Sequence, residues 1–186
     1  MLSSDKLTGD AVLDVSKITT IVENTMDGTS GALYAIFLNS LVHALSQQQA
    51  GPADEKAWAT ALTQASNSLS KYTPAQPGDR TLIDALYPFV ENLMSSNDLK
   101  QAAEAARKGA EGTKGMKASL GRTVYIGGKG FEQVPDPGAW GLSEFFLGLA
   151  GVKASEPDYE MIWNGNEMYD EGMFFFWLAC NYGVPK

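Results

Sequence analysis

Three glycine-bearing turns hold the residue types that could meet a phosphate. The first, Asp27-Gly28-Thr29-Ser30-Gly31, opens a run of helical periodicity. Glycine lets a backbone come close to a ligand, and the N–H groups and dipole of a helix start suit an anion. An ordinary helix cap, with Thr29 or Ser30 satisfying the first turn, accounts for the same residues. The second, Pro77-Gly78-Asp79-Arg80-Thr81, reads as a tight turn ending in Asp79 as N-cap, which needs no ligand; Arg80 could meet an anion or equally face water, as most surface arginines do. The third runs from Gly121-Arg122 to Asp136-Pro137-Gly138. An arginine in a glycine-rich stretch can make charge-assisted bonds to phosphate oxygens. Asp followed by Pro is a well-made helix start that offers a second anion-friendly end.

Residues of other chemistries read as structural. His43 is the only histidine and lies mid-helix, without cysteine or carboxylate at ligand spacing, so no metal site is expected there. Cys180 is the only cysteine and sits among aromatics, with no basic neighbour to favour a thiolate. Met168 and Met173 are packing residues on this reading.

The turns punctuate a chain that reads as helix. Val15, Ile18 and Val22 recur at helical spacing, as do Leu33, Ile36, Phe37, Leu41, Ala44 and Leu45 after the first turn. Gly51-Pro52 breaks the chain, and Trp58, Leu62, Ala65, Leu69 and Tyr72 mark a third helix. Leu82, Ile83, Leu86, Phe89, Val90 and Leu93 mark a fourth, and Asn97 is a reasonable N-cap for an alanine-rich fifth through Ala110. The last begins at Asp136-Pro137-Gly138, with Leu142, Phe145, Phe146 and Leu149 as its expected core face. No alternating strand pattern longer than a few residues is present, so the expected class is all-α, its short connections favouring antiparallel neighbours.

Taken in order, four segments do more than each alone. Met26-Asp27-Gly28-Thr29-Ser30-Gly31-Ala32-Leu33-Tyr34, Pro77-Gly78-Asp79-Arg80-Thr81-Leu82-Ile83-Asp84-Ala85-Leu86, Gly121-Arg122-Thr123-Val124-Tyr125-Ile126-Gly127 and Asp136-Pro137-Gly138-Ala139 resemble the dihydroxyacetone (glycerone) kinase family. Within it they resemble the C-terminal nucleotide-binding domain, called DhaL or DAK-L, from roughly Leu7 to Ala150. The resemblance implies a barrel of antiparallel helices with ATP held in the loops at one end. It implies that Thr29 and Ser30 hold phosphate oxygens through backbone and hydroxyl, and that Gly78 leaves room for the nucleotide. Arg122 and Asp136-Pro137-Gly138 would close the other side. The activity implied is ATP-dependent phosphorylation of dihydroxyacetone in glycerol and ketone catabolism.

Two departures qualify what the resemblance implies. The family's Gly-Asp-x-Asp-x-Gly loop, which binds two magnesium ions, precedes the Thr-Ser-Gly turn by a few tens of residues; only 26 residues precede Asp27, and none matches it. Asp10 and Asp14 lie too close to the turn, within a helical pattern, and are not assigned as ligands. The magnesium ligands and the first helix are therefore expected to be missing, and metal–ATP binding weak. A counterpart of the family's substrate-binding domain, with its histidine for dihydroxyacetone, is expected to be missing too, so the chain is expected to be inactive alone. ATP and a separate dihydroxyacetone-binding domain or subunit are the expected partners. The alternative is a non-catalytic DhaL-like binding or regulatory module.

Composition adds exclusions. Among 186 residues, 22 acids against 14 bases give a net charge of −8, which disfavours nucleic acid as a partner. The longest apolar run, Met173–Cys180, is too short to span a bilayer, so no membrane is expected. With one cysteine and no secretory-type start, the expected compartment is the cytoplasm. Residues 152–186 hold six acids, two lysines and eight of the chain's 19 aromatics, with no stable period. The expected organisation is a DhaL-like domain over 1–150 and an irregular tail outside the family over 151–186. Apolar surface left by the missing helix would be covered by that tail or by a homodimer.

Overall fold

The computed structural model describes residues 8–48, 53–121, 124 and 131–152. Among them it has six α-helices and no strand: α1 (Ala11–Thr25), α2 (Gly28–Ser46), α3 (Glu55–Leu69), α4 (Ile83–Ser96), α5 (Leu99–Gly112) and α6 (Pro137–Leu149). A 3-10 turn spans Phe131–Gln133. The all-α expectation holds for these residues. None of the helices is long and apolar enough to cross a membrane. Of the expected tail, residues 153–186 lie outside the described residues.

The chain forms two compact units, one of residues up to Pro74 with Leu93–Asn97, the other of Ala75–Asn92 with Asp98 onward. In the first, α1 packs on α2 and α2 on α3. Asp10 starts α1 by accepting from the Leu13 N–H at 3.0 Å. Asp14, one turn in, accepts from the Thr8 N–H at 2.8 Å, the Thr8 hydroxyl at 2.9 Å and the Gly9 N–H at 3.0 Å. Led by the Thr8 amide, these bonds hold the Asp14 carboxyl below its ordinary value. The core joins Val15 to Leu41, Ala44 and Leu45 of α2 and Ala61 and Ala65 of α3, with Phe37, Trp58 and Leu62 packed against it. Of the three apolar residues expected to face inward on α1, Val15 does so, Val22 is half-buried and Ile18 is 44% exposed. A helix packed chiefly against one neighbour needs only a narrow apolar stripe.

In the second unit, the apolar positions expected of the fourth helix are buried, among them Leu82, Ile83, Leu86, Phe89 and Val90. Pro88 lies inside α4, and having no N–H it leaves the Asp84 carbonyl without its helical donor. Gly109 of α5 sits at that spot: a Cβ there would collide with the Asp84 carbonyl oxygen and press on the Pro88 ring. The proline and the glycine thus form one close contact between two helices. α5 turns Ala102, Ala103, Ala106 and Ala110 inward. Its cap differs from expectation. Asp98, not Asn97, accepts from the Lys100 and Gln101 N–H groups, at 2.9 and 3.0 Å. Asn97 instead takes a left-handed conformation, φ 52°, which asparagine tolerates better than most residues.

α6 runs antiparallel to α5. Its start meets the end of α5 where the Asp136 N–H donates to Thr113 Oγ1 at 2.7 Å, and further along it Trp140 and Glu144 meet Arg107. Phe146 stacks on Phe89 with ring centroids 3.7 Å apart. The expected inner face of α6 is corrected at two of its four positions. Leu142 and Phe146 are buried, but Phe145 is 45% and Leu149 56% exposed. The buried stripe is Ala139, Leu142, Ser143, Phe146 and Leu147, a regular i, i+3, i+4, i+7, i+8 series. Ser143 hid it in the sequence; its hydroxyl is satisfied locally, donating to the Trp140 carbonyl at 2.7 Å.

Candidate functional site

In the first unit the candidate residues stand at the start of α2. Asp27 occupies the N-cap position in extended conformation but makes no side-chain cap bond, and Gly28 follows at φ 72°. Thr29 and Ser30 are then the second and third helical residues, both exposed, and neither is the cap. Gly31 is buried beneath them, where a Cβ would collide with the Met26 carbonyl oxygen. That close approach fixes the turn between α1 and α2. The result is a 19-residue helix whose first amides receive nothing from the cap side chain, an arrangement that favours an anion.

In the second unit the candidates are Gly78 and Asp136-Pro137-Gly138. Gly78 stands at φ 98°, a conformation that favours glycine, and a Cβ there would meet nothing within 4 Å. The space around it is open, but its own N–H is committed to Asp84 Oδ1. Asp84 Oδ2 accepts from the Thr81 N–H at 2.8 Å, while Thr81 Oγ1 accepts from the Ile83 N–H at 3.2 Å. This reciprocal pair starts α4. Asp79, expected as the cap, serves another purpose: it accepts from the Gln76 N–H at 2.8 Å and the Ser119 hydroxyl at 2.9 Å. With the Gln76 amide as the larger cause, those bonds hold its carboxyl below the ordinary range. Ser119 lies three residues before Arg122, which is itself outside the described residues.

Asp136 behaves as expected of an N-cap, accepting from the Ala139 N–H at 2.8 Å with Pro137 as first helical residue. Burial pushes its carboxyl above the ordinary value, against the pull of the Ala139 amide and the nearby Arg80 charge; Asp84 adds a smaller push upward. Gly138 lies against Leu82, whose Cβ and N are 3.6 and 3.7 Å from where its own Cβ would be. Arg80 does not face water. It is 2% exposed, takes φ 60°, and donates through Nη2 to the Val134 carbonyl at 3.0 Å. The buried polar residues Arg80, Asp84 and Thr113 are the ones sequence reasoning missed. Thr-x-x-Asp at 81–84 is a capping-box spacing and could have revealed Asp84. No local pattern marks Arg80, because its partner carbonyl is 54 residues away.

A model of the DAK2 domain matches residues 3–151 of this sequence. The chain belongs to the DAK2 domain family. A dihydroxyacetone kinase of Pichia angusta is 43% identical over 162 residues, 81% of this chain and 27% of that protein. The chain thus spans about a quarter of the length of the curated relatives it matches. In structure it is similar to the dihydroxyacetone kinase of C. freundii in its native form, with TM-score 0.57 and 30% identity over 76% of this chain and 24% of that one. The same kinase in complex with AMP-PNP and Mg2+ gives TM-score 0.54 at the same identity, covering 76% of this chain and 23% of the other. The likeness agrees with the all-helical reading, and the family match over residues 3–151 takes in all four motifs.

Proposed function

We propose that this DAK2 domain is the ATP-binding part of a dihydroxyacetone kinase, acting with a separate domain or subunit that holds dihydroxyacetone. The observation that carries the reading is the likeness to a kinase structure in complex with AMP-PNP and Mg2+. The local chemistry agrees with it. Thr29 and Ser30 sit at a helix start without a side-chain cap bond from Asp27, where phosphate oxygens can take N–H and hydroxyl donors. Gly78 offers open space, and Asp136-Pro137-Gly138 a second helix start. Arg122 supplies the positive charge of the glycine-rich loop.

Phosphoryl transfer asks a protein chiefly to position the phosphates and to neutralise their charge. The residues above do the first through backbone and hydroxyl donors and part of the second through Arg122. Among the described residues no group of three or more His, Cys, Asp or Glu could hold a metal ion, and Asp10 and Asp14 are engaged at the start of α1. The proposed domain division, a family domain over 1–150 followed by a tail of different composition, agrees with the match ending at residue 151.

Calorimetric titration of the 186-residue chain with AMP-PNP, with and without magnesium, tests the reading. Binding is expected, weakened about tenfold or more by Arg122→Ala, the range for a charge-assisted hydrogen bond. A folded chain that gives no nucleotide-dependent heat overturns it, and an unchanged affinity in the variant removes Arg122 from the site. Adding ATP, dihydroxyacetone and a dihydroxyacetone-binding domain should yield the phosphorylated product. Binding without turnover in that mixture would leave a non-catalytic nucleotide-binding module.

A further inference from the structure

Arg80 has the environment of a residue with a task. A residue other than glycine at φ 60° is disfavoured, and an arginine that is only 2% exposed has lost nearly all its hydration. Both penalties must be offset by what the residue holds. Its Nη2 donates to the Val134 carbonyl, two residues before Asp136, while its own backbone lies two residues after Gly78. Gly78 is in turn fixed by Asp84, and Gly138 lies against Leu82 at the entry to α4. Within the second unit, then, one side chain joins the turn bearing Gly78 to the segment bearing Asp136-Pro137-Gly138.

We propose that Arg80 is a positioning residue for the nucleotide: it clamps the Val134–Gly138 segment to the 76–81 turn, so that Gly78 and the start of α6 form one rigid edge. This rests on the ATP-binding reading above. Arginine suits the task because its planar fork addresses a carbonyl and neighbouring charge at once; lysine keeps the charge without the fork. The charge is also suited to its surroundings, since it draws the Asp136 carboxyl back toward ionisation. The clamp is not what holds the segment in the fold. On the α5 side, the Asp136 N–H donates to Thr113 Oγ1 at 2.7 Å, and the Gly115 N–H to the Glu132 carbonyl at 2.7 Å. Those bonds do not involve Arg80, so its replacement should loosen one edge rather than unfold the unit.

The test compares wild type, R80M and R80K in the full chain. Circular dichroism and thermal unfolding establish the folded state, and AMP-PNP affinity is measured where each protein is folded. The amide signals of Gly78, Gly138 and Ala139 are followed by nitrogen-15 NMR. R80M is expected to weaken AMP-PNP binding about tenfold or more and to shift the Gly138 and Ala139 signals, and R80K to recover part of the affinity. Should R80M not fold, R80K carries the test with a loss of several-fold. A folded variant with wild-type affinity overturns the proposal, even if its melting temperature falls, because a purely structural arginine would behave that way. A wild-type chain that fails to bind AMP-PNP overturns the ATP-binding reading and this role with it. Equal binding by wild type and both variants overturns the role of Arg80 alone.

Discussion

Asp136 is under opposing demands. As N-cap of α6 it accepts from the Ala139 N–H, which favours the carboxylate, yet the residue is buried, which disfavours it. Burial is the larger cause, so its folded-state pKa lies above the unfolded one. The stability it contributes is fully present below the unfolded pKa and is lost as pH rises through the folded one. Asp136→Asn keeps an oxygen acceptor at the cap but cannot ionise. Urea unfolding across a pH series should show wild type losing ground to this variant as pH rises through the raised pKa, and parallel profiles would refute the assignment. Asp79 and Asp98 have the opposite sign. Both are held low, first by the Gln76 and Gln101 amides, so their contributions are lost on acidification through the folded pKa values.

At the scale of elements, helix contacts rest on a few small residues and one displaced stripe. Gly109 lies where Pro88 has freed the Asp84 carbonyl. Gly109→Ala should therefore destabilise by about 1–3 kcal/mol despite alanine's better helix propensity, because the added methyl has no room. A stabilised variant in chemical denaturation would show that the two helices can move apart freely. The α6 stripe is tested by contrast. Phe146→Ala, which removes the ring stacked on Phe89, should cost about 3–5 kcal/mol. Leu149→Ala, at a 56% exposed position, should cost about 0.5 kcal/mol or less. Equal costs would restore the face that apolar spacing alone suggests.

At the scale of the whole molecule, nucleotide binding and stability are linked. A ligand that binds only the folded state at a hundredfold over its Kd adds about 2.7 kcal/mol. AMP-PNP at that excess should raise the melting temperature of the chain by roughly 5–10 °C, taking about 2–4 °C per kcal/mol for a chain of this size. A flat response at saturating nucleotide would contradict the proposed function. The same measurement on the Arg122→Ala variant, at equal nucleotide concentration, should give a smaller shift.

The amino-acid sequence by itself determined the six helices of the described residues and the order of the motifs between them. Helix signals act over a few residues: an apolar period, a cap such as Asp136, a break such as Gly51-Pro52. The four motifs were legible for the same reason, each being contiguous. Tertiary structure decided what contiguity cannot carry. Asp79, expected as a cap, is held instead by the Gln76 amide and by the hydroxyl of Ser119, 40 residues on, a partner no local pattern announces. Arg80 left solvent for the carbonyl of Val134, 54 residues away. Ser143 lies on the inner face of α6 because packing selects position on the helix, and a hydroxyl bonded within its own helix can be buried there. Local bonds set where helices begin and end; which side of each becomes interior depends on partners that only the folded chain brings near.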